Sequence, residues 1–378
     1  MMVDVNRDRH LFAPPFCKGV ETYILPIPKS KYELHNGLKI AGGWRYFNDL
    51  RVIQKKNDSY VEVLMSTSEF ISSAKMASKK SLRKAELHIE NIVRKRLPFA
   101  TIDMSLPHVM GVLNLTPDSF YKKSRENNTK IVLRKCKRMV QDGATVLDIG
   151  GESSRPGAVK ISEKLEQERV EKILNQLKHE DIKSIISLDT RNLGTMKLGY
   201  NIGVDIINDI SGLDTNDKVE FVASKNLPVI VMHMQNKPEN MQINPQYNFS
   251  PIDVYNFFSK KINDLLHLGL DISNLAIDPG IGFGKNKYHN LDILKNLSIF
   301  HGLGVPILIG ISRKSLIGEL AIEDFKSRGI YKRSVGPSSR LSGSLAFSIH
   351  AFNNGIQLIR THDVFETRQA LTCQFSLN

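Results

Sequence analysis

Cysteine is scarce: Cys17, Cys136 and Cys373 stand far apart in 378 residues, and none belongs to a Cys-x-x-Cys pair. That spacing excludes a disulfide framework and a structural zinc site, and it fits a reducing compartment. No uncharged apolar run reaches the roughly 18 residues that a membrane-crossing helix needs. The first residues, Met1 to Asp8, are polar and charged rather than the apolar core of a secretory signal. The expectation is a soluble, cytoplasmic protein with no membrane partner. Several chemistries are also unrepresented, including the His-Glu-x-x-His zinc pair, the nucleophile elbow and a Gly-x-Gly-x-x-Gly turn after a strand. The string Gly280-Ile281-Gly282-Phe283-Gly284-Lys285 imitates a phosphate-binding loop, but its glycine spacing is wrong and Asn286 stands where Ser or Thr is required.

What is present is an ordinary globular composition, 41% hydrophobic and 24% charged, long enough for one large barrel and an appendage. The net charge is +13. Much of the excess lies between Lys75 and Arg96, where Lys79, Lys80, Arg83, Lys84, Arg94, Lys95 and Arg96 cluster without interleaved aromatics. That pattern reads as a solvated helix face rather than a nucleic-acid surface, while a positive field also favours small anionic substrates.

Residues 1–107 have a short, broken apolar pattern, with strand-like pieces at Thr22–Leu25 and Tyr60–Met65, a Gly42-Gly43 turn and a basic helical stretch ending near Arg96. They read as a small mixed α/β extension. From residue 108 to 378 the texture becomes regular. Eight short apolar runs, His108–Asn114, Thr145–Gly150, Ser184–Thr190, Ile206–Ile210, Pro228–Met234, Leu275–Pro279, Pro306–Ser312 and Ile356–His362, alternate with spacers, most of which can hold a helix. The helical spacers include Asp292–His301 and Leu341–Asn353, and Ser315–Gly343 reads as an irregular excursion. Eight buried parallel strands with helical crossovers predict a (β/α)8 TIM barrel, fold class α/β.

Each run is apolar in its body and polar at its end: Asn114, Asp148, Asp189, Asn208 with Asp209, His233, Asp278, Ser312 with Arg313 and Lys314, and Arg360 with His362. In a barrel those ends meet on one rim, where the active sites of this fold lie. Asp189 and Asp278, with Asn208, can read the donor and acceptor edge of a flat heterocycle. The cations Arg313, Lys314 and Arg360 with His362 suit a doubly charged phosphoester. Arg155, after Gly150-Gly151-Glu152-Ser153-Ser154, offers a fork to phosphate oxygens. The turn Asn114-Leu115-Thr116-Pro117-Asp118-Ser119 supplies neutral oxygens suited to Mg²⁺ or donors for a phosphate. His233 alone is more simply a hydrogen-bonded structural histidine.

From about Pro107 to Leu371 the chain resembles the dihydropteroate synthase family. The resemblance is carried by Met110 to Phe120, Asp148 to Ala158, Ser187-Leu188-Asp189-Thr190, Ile207 to Gly212, Val231 to Gln235, Asp278 to Lys285, Gly310 to Lys314 and Arg360-Thr361-His362-Asp363. It implies a homodimeric barrel enzyme of folate biosynthesis. That enzyme joins 6-hydroxymethyl-7,8-dihydropterin diphosphate to 4-aminobenzoate, releasing pyrophosphate. It further implies that Asp189, Asn208, Asp278 and Lys314 hold the pterin. Asn114, Arg360 and His362 would serve the diphosphate and its Mg²⁺, with Asn114 as the metal ligand. Ser154 and Arg155 would lie beside the diphosphate, and Phe283 and Ser315 beside the aminobenzoate.

One departure stands out. The family continues its first motif as Ser-Phe-Ser-Asp-Gly-Gly, whereas here Phe120 is followed by Tyr121-Lys122-Lys123-Ser124-Arg125-Glu126. Losing the acid and both glycines keeps an alternative open: a non-catalytic pterin-binding relative. A folate-dependent methyltransferase in the same barrel is disfavoured by the Ser312-Arg313-Lys314 and Arg360-x-His362 pairing. The extension only loosely resembles that of some bacterial members, and no fused pyrophosphokinase motif is found, so a single activity is expected.

Overall fold

A computed structural model describes every residue except 1–5, 35, 58, 116–124, 154–156, 181 and 332–333, and omits the side chains of 9 and 125–128. The antiparallel sheet of the extension is built from strands β1 (Glu21–Pro26), β4 (Asp49–Lys56) and β5 (Ser59–Ser66), with a small pair β2 (Leu38–Lys39) and β3 (Tyr46–Phe47) beside it. Helices α1 (Thr67–Ala77) and α2 (Lys79–Val93) follow. The barrel comprises β6 (His108–Asn114), β7 (Val146–Gly150), β8 (Ile185–Asp189), β9 (Ile206–Asp209), β10 (Val229–Met232), β11 (Leu275–Asp278), β12 (Leu308–Gly310) and β13 (Leu358–Thr361). All are parallel in the order β11-β10-β9-β8-β7-β6-β13-β12, and a parallel bridge from Ile277 to Ile307 closes the ring. Every one of the eight apolar runs is a strand.

Because side chains alternate along a strand, the barrel interior changes character within two residues. Met110, Val146, Ile206, Ile230, Ala276, Leu308 and Leu358 form one apolar layer. Two positions further along β7, β9, β11 and β13 stand Asp148, Asn208, Asp278 and Arg360. The floor below the apolar layer is sealed by Phe99, Ile102 and Met104, which pack into it. Phe99 and Ile102 exchange backbone hydrogen bonds of 3.1 and 2.9 Å across a two-residue turn whose central residues, Ala100 and Thr101, both have positive φ. This is the geometry of a tight hairpin turn. With one end plugged, only the rim at the strands' carboxyl ends is open to chemistry.

The extension is bolted to the barrel by polar contacts. Trp44 Nε1 donates to the Phe352 carbonyl at 3.1 Å while its ring stacks on Phe352. Asn256 donates to the Tyr23 hydroxyl at 2.9 Å. Arg96, 2% exposed, donates to the carbonyls of Asn91, Arg94 and His301. The solvated-face reading therefore holds for Lys79, Lys80, Arg83, Lys84, Arg94 and Lys95, which are exposed, and fails for Arg96. It lies past the end of α2 and turns inward because the carbonyls at the docking seam need a donor.

Two further expectations are corrected. Ser315–Gly343 is not irregular throughout, since Ser315–Ser327 is an α-helix and the glycines that suggested disorder of pattern fall after it, from Gly329 on. The helix expected over Asp292–His301 is instead an α-helix over Lys287–Lys295 followed by a 3-10 turn over Leu297–Leu303. Asn296 breaks the two apart, with its side-chain amide bonded back to the Asp292 carbonyl at 2.7 Å. Among the described residues no helix is long and apolar enough to cross a membrane.

Candidate active site

Register brings the site together. Asn114 pairs with Gly150, Gly150 with Asp189, and Asp189 with Asn208, so four consecutive strand ends stand at one level. Gly150 lies between the two side chains: a Cβ on it would sit 3.4 Å from both Asn114 Oδ1 and Asp189 Cβ, an ordinary contact.

Just below this level lies the electrostatic hub. Asp148, fully buried, accepts from Ser187 Oγ at 2.7 Å, Asn208 Nδ2 at 3.2 Å and Arg360 Nε at 2.7 Å. Arg360 Nη2 donates to Asp189 Oδ2 at 2.6 Å. Burial alone would lower the Arg360 pKa, but Asp148 and Asp189 raise it above the ordinary arginine value. The same burial pushes the Asp189 carboxyl up, and Arg360 opposes that rise. Charge is thus nearly balanced inside the cup, as buried ion pairs require.

Lys314 and Phe283 form the opposite wall. The Lys314 ammonium sits 3.9 Å from the Phe283 ring centroid, a cation–π contact. Burial, and then the nearby Arg360 charge, lower the Lys314 pKa to about 8. Asp278 accepts from the Gly280 amide at 2.8 Å, and burial raises its pKa against that bond and against Lys314. Ile210, Met232 and Met241 pack with Phe283. Phe283 is 7% exposed, so it lies inside the wall.

The cationic mouth is organised differently from the expectation. The Arg313 guanidinium is taken up by Asp363, with Nε to Oδ2 at 3.0 Å, so it is a strut between two rim turns. The His362 amide donates to Ser312 Oγ at 3.1 Å, and its Nδ1 lies 3.1 Å from the same hydroxyl. Burial first, and the Arg360 and Arg313 charges next, lower the His362 pKa to about 3. At neutral pH it is an uncharged imidazole, a hydrogen-bonding group and not a third cation. Asp209 points away from the cup, bonded to Ser211 and the Leu213 amide.

Of the candidate residues, the structure gathers Asn114, Asp189, Asn208, Asp278, Phe283, Lys314, Arg360 and His362 around one cup. Ser315, exposed at the first turn of its helix, stands next to Lys314. Ser154 and Arg155 lie outside the described residues, as does most of the altered stretch 121–126. Two nitrogens of Arg360 are committed to carboxylates of the floor, Nε to Asp148 and Nη2 to Asp189. The residues missed as site members are Asp148 and Ser187. Asp148 was visible as a strand-end acid two residues before Gly150, and Ser187 stood in the motif Ser187-Leu188-Asp189-Thr190 with no role assigned to it. His233 is structural: Nδ1 lies 3.0 Å from Lys285 Nζ, and its ring packs on Phe257 at 4.8 Å.

The profile of the pterin binding enzyme family matches residues 110–362, and the chain belongs to that family. Within it, its similarity is to dihydropteroate synthases. It is 40% identical to that of Escherichia coli strain K12 over 271 residues, covering 72% of this chain and 92% of the other. The Haemophilus influenzae enzyme is 37% identical, covering 71% and 94%. The Yersinia pestis synthase, solved with a sulfonamide drug, superposes with a TM-score of 0.66 at 39% identity, over 73% of this chain and 96% of that one. The Xanthomonas albilineans synthase in complex with 7,8-dihydropteroate gives 0.63 at 32%, over 72% and 94%.

Proposed function

We infer that the chain is a dihydropteroate synthase, a transferase joining 6-hydroxymethyl-7,8-dihydropterin diphosphate to 4-aminobenzoate in folate biosynthesis. The observation that carries the reading is the hub of Asp148, Arg360, Asp189 and Asn208 beneath a wall of Lys314 and Phe283. It combines fixed acceptors and amide groups for a flat heterocycle with cationic charge for its diphosphate.

The residues divide the work as follows. Asp189, Asn208 and Asp278 hold the pterin edge, and Lys314 lies between pterin and aminobenzoate. Asp148 and Arg360 keep Asp189 and Asn208 in place, and Arg360 also balances charge under the diphosphate. The neutral His362 imidazole, steadied by Ser312, directs a hydrogen bond to the leaving group. Phe283 and Ser315 line the arylamine side, and on the family resemblance Ser154 and Arg155 serve the diphosphate. The bond from the methylene carbon to the diphosphate oxygen breaks, the arylamine nitrogen bonds to that carbon, and the nitrogen's proton leaves with pyrophosphate or to solvent. No protein nucleophile is needed. Floor carboxylates favour the positive character that develops at the methylene.

Mg²⁺ fits this donor set in a particular way. Among the described residues no three His, Cys, Asp or Glu side chains form a ready cage, and Asn114 offers one amide oxygen at the rim. Mg²⁺ is commonly held by few protein oxygens together with substrate phosphates, so Asn114 and the diphosphate would share it. When bound it neutralises diphosphate charge. We also propose a cytoplasmic homodimer, on the family resemblance; sedimentation at micromolar concentration checks the assembly.

The decisive experiment supplies pterin diphosphate, 4-aminobenzoate and Mg²⁺ and follows pyrophosphate. Release that depends on aminobenzoate is expected. Pterin binding without such release at high enzyme concentration would point instead to a non-catalytic relative.

A further inference from the structure

The glycine-rich string ending in Lys285 is not a phosphate loop, and the reaction as described makes no use of its lysine. Lys285 is 2% exposed. Its ammonium lies 3.0 Å from His233 Nδ1 and donates to the carbonyls of His233 at 3.1 Å, Gly280 at 3.0 Å and Phe283 at 3.0 Å. Three carbonyls and a ring nitrogen thus surround the amine, and they belong to the exit of β10 and to both ends of the turn after β11. The turn is pressed onto that exit: a Cβ on Gly280 would sit 2.0 Å from the His233 carbonyl oxygen, and one on Gly284 2.7 Å from that of Gln235. Tyr247 adds a second tie, its hydroxyl donating to the Gly284 carbonyl at 2.9 Å.

We propose that Lys285 is a positioning residue that clamps the turn 280–284 against the end of β10 and so fixes the Phe283 ring on the arylamine side of the cup. This rests on the reading of Phe283 given above. The two ends of the turn carry the two wall elements: Gly280 donates to Asp278, and Phe283 underlies Lys314. A slack turn would move the ring under the ammonium while leaving Asp189 and Asn208, on other strands, and Asp278, whose carbonyl is held to β10 by the His233 amide at 3.0 Å, where they are. Burying the amine is costly, as the fall of the lysine pKa to about 7 indicates, yet an apolar side chain would leave the three carbonyls it serves without that donor. A buried amine kept against that cost suits a role in holding geometry.

The test uses the full-length chain carrying Lys285→Met. Amide hydrogen exchange over 279–286 should accelerate by about tenfold or more, with the barrel strands unchanged. The KM for aminobenzoate should rise about tenfold, while kcat and the KM for pterin diphosphate stay within about threefold. Unchanged exchange, equal rises for both substrates, or faster exchange with an unchanged aminobenzoate KM would each overturn the proposal. If Lys285→Met does not fold, Tyr247→Phe removes the second tie. It should raise the aminobenzoate KM selectively by about threefold, and no selectivity would overturn the clamp. The exchange measurement needs no turnover, so an inactive wild-type chain would reject the assigned reaction while the clamp is still judged by exchange.

Discussion

Arg360 and Asp148 are 212 residues apart in the chain and 2.7 Å apart in the fold, Nε donating to Oδ2. The same guanidinium reaches Asp189 at 2.6 Å, so one cation on β13 bridges acids on β7 and β8. Its side chain is 17% exposed and that of Asp148 is 0% exposed, which leaves little solvent to screen the pair.

Arg360→Ala strands two buried carboxylates. Removing one partner of such a pair typically costs about 3–5 kcal/mol, and urea unfolding should show a loss of that order. In the double variant with Asp148→Asn the loss should be smaller than the sum of the singles, because one of the two stranded charges is gone. Calorimetry adds a functional arm, in which the pterin diphosphate should lose more affinity than the free pterin alcohol. Equal losses would reject any part for Arg360 beneath the diphosphate.

Lys314 should impose an alkaline limit. Burial and Arg360 lower its pKa to about 8, so it is cationic below that pH and neutral above. The KM for the anionic pterin diphosphate should therefore climb as pH rises through about 8. In Lys314→Arg the baseline changes, since the two cations are not interchangeable, but the climb should vanish. A climb of the same size in the arginine variant would rule out Lys314 as its source.

Phe99→Ala tests whether floor and rim are separable. Phe99 is fully buried in the plug, and truncating a buried phenylalanine costs about 3–5 kcal/mol. Thermal or urea unfolding should register that loss. Turnover per folded molecule should stay near the wild-type value, because the chemistry is at the opposite end of the barrel.

His301 should make the fold acid-sensitive. It is fully buried, and burial, then Arg96, lower its pKa to about 3. The folded chain keeps it neutral, whereas the unfolded chain protonates it below about 6.5. Unfolding thus takes up a proton as pH falls from 6.5 towards 3, stability declines over that window, and above 6.5 this group contributes no pH dependence. In His301→Gln the stability lost between pH 7 and 5.5 should shrink by about 1 kcal/mol. Urea midpoints at the two pH values check it.

Much of this was legible before any coordinates. Alternating buried runs and helical spacers at the right number specified the barrel, since a strand buried on both faces must be apolar along its body and its chemistry must then gather at its end. The polar tips from Asn114 to Lys314 were legible for the same reason. What stayed hidden depended on distance and direction. Asp209 follows Asn208 and points outward, because neighbouring residues on a strand face opposite sides.

Local pattern thus determined the strands, their order of appearance and the list of polar tips, because hydrophobic periodicity and turn chemistry are properties of neighbouring residues. Only the closed barrel decided which tips carry charge toward the cup. Arg360 is drawn down between Asp148 and Asp189, Arg313 is spent on Asp363, and His362 is left neutral. Those outcomes follow from burial and from partners up to 212 residues distant, and electrostatic energy in a desolvated interior depends on separation in space rather than in sequence.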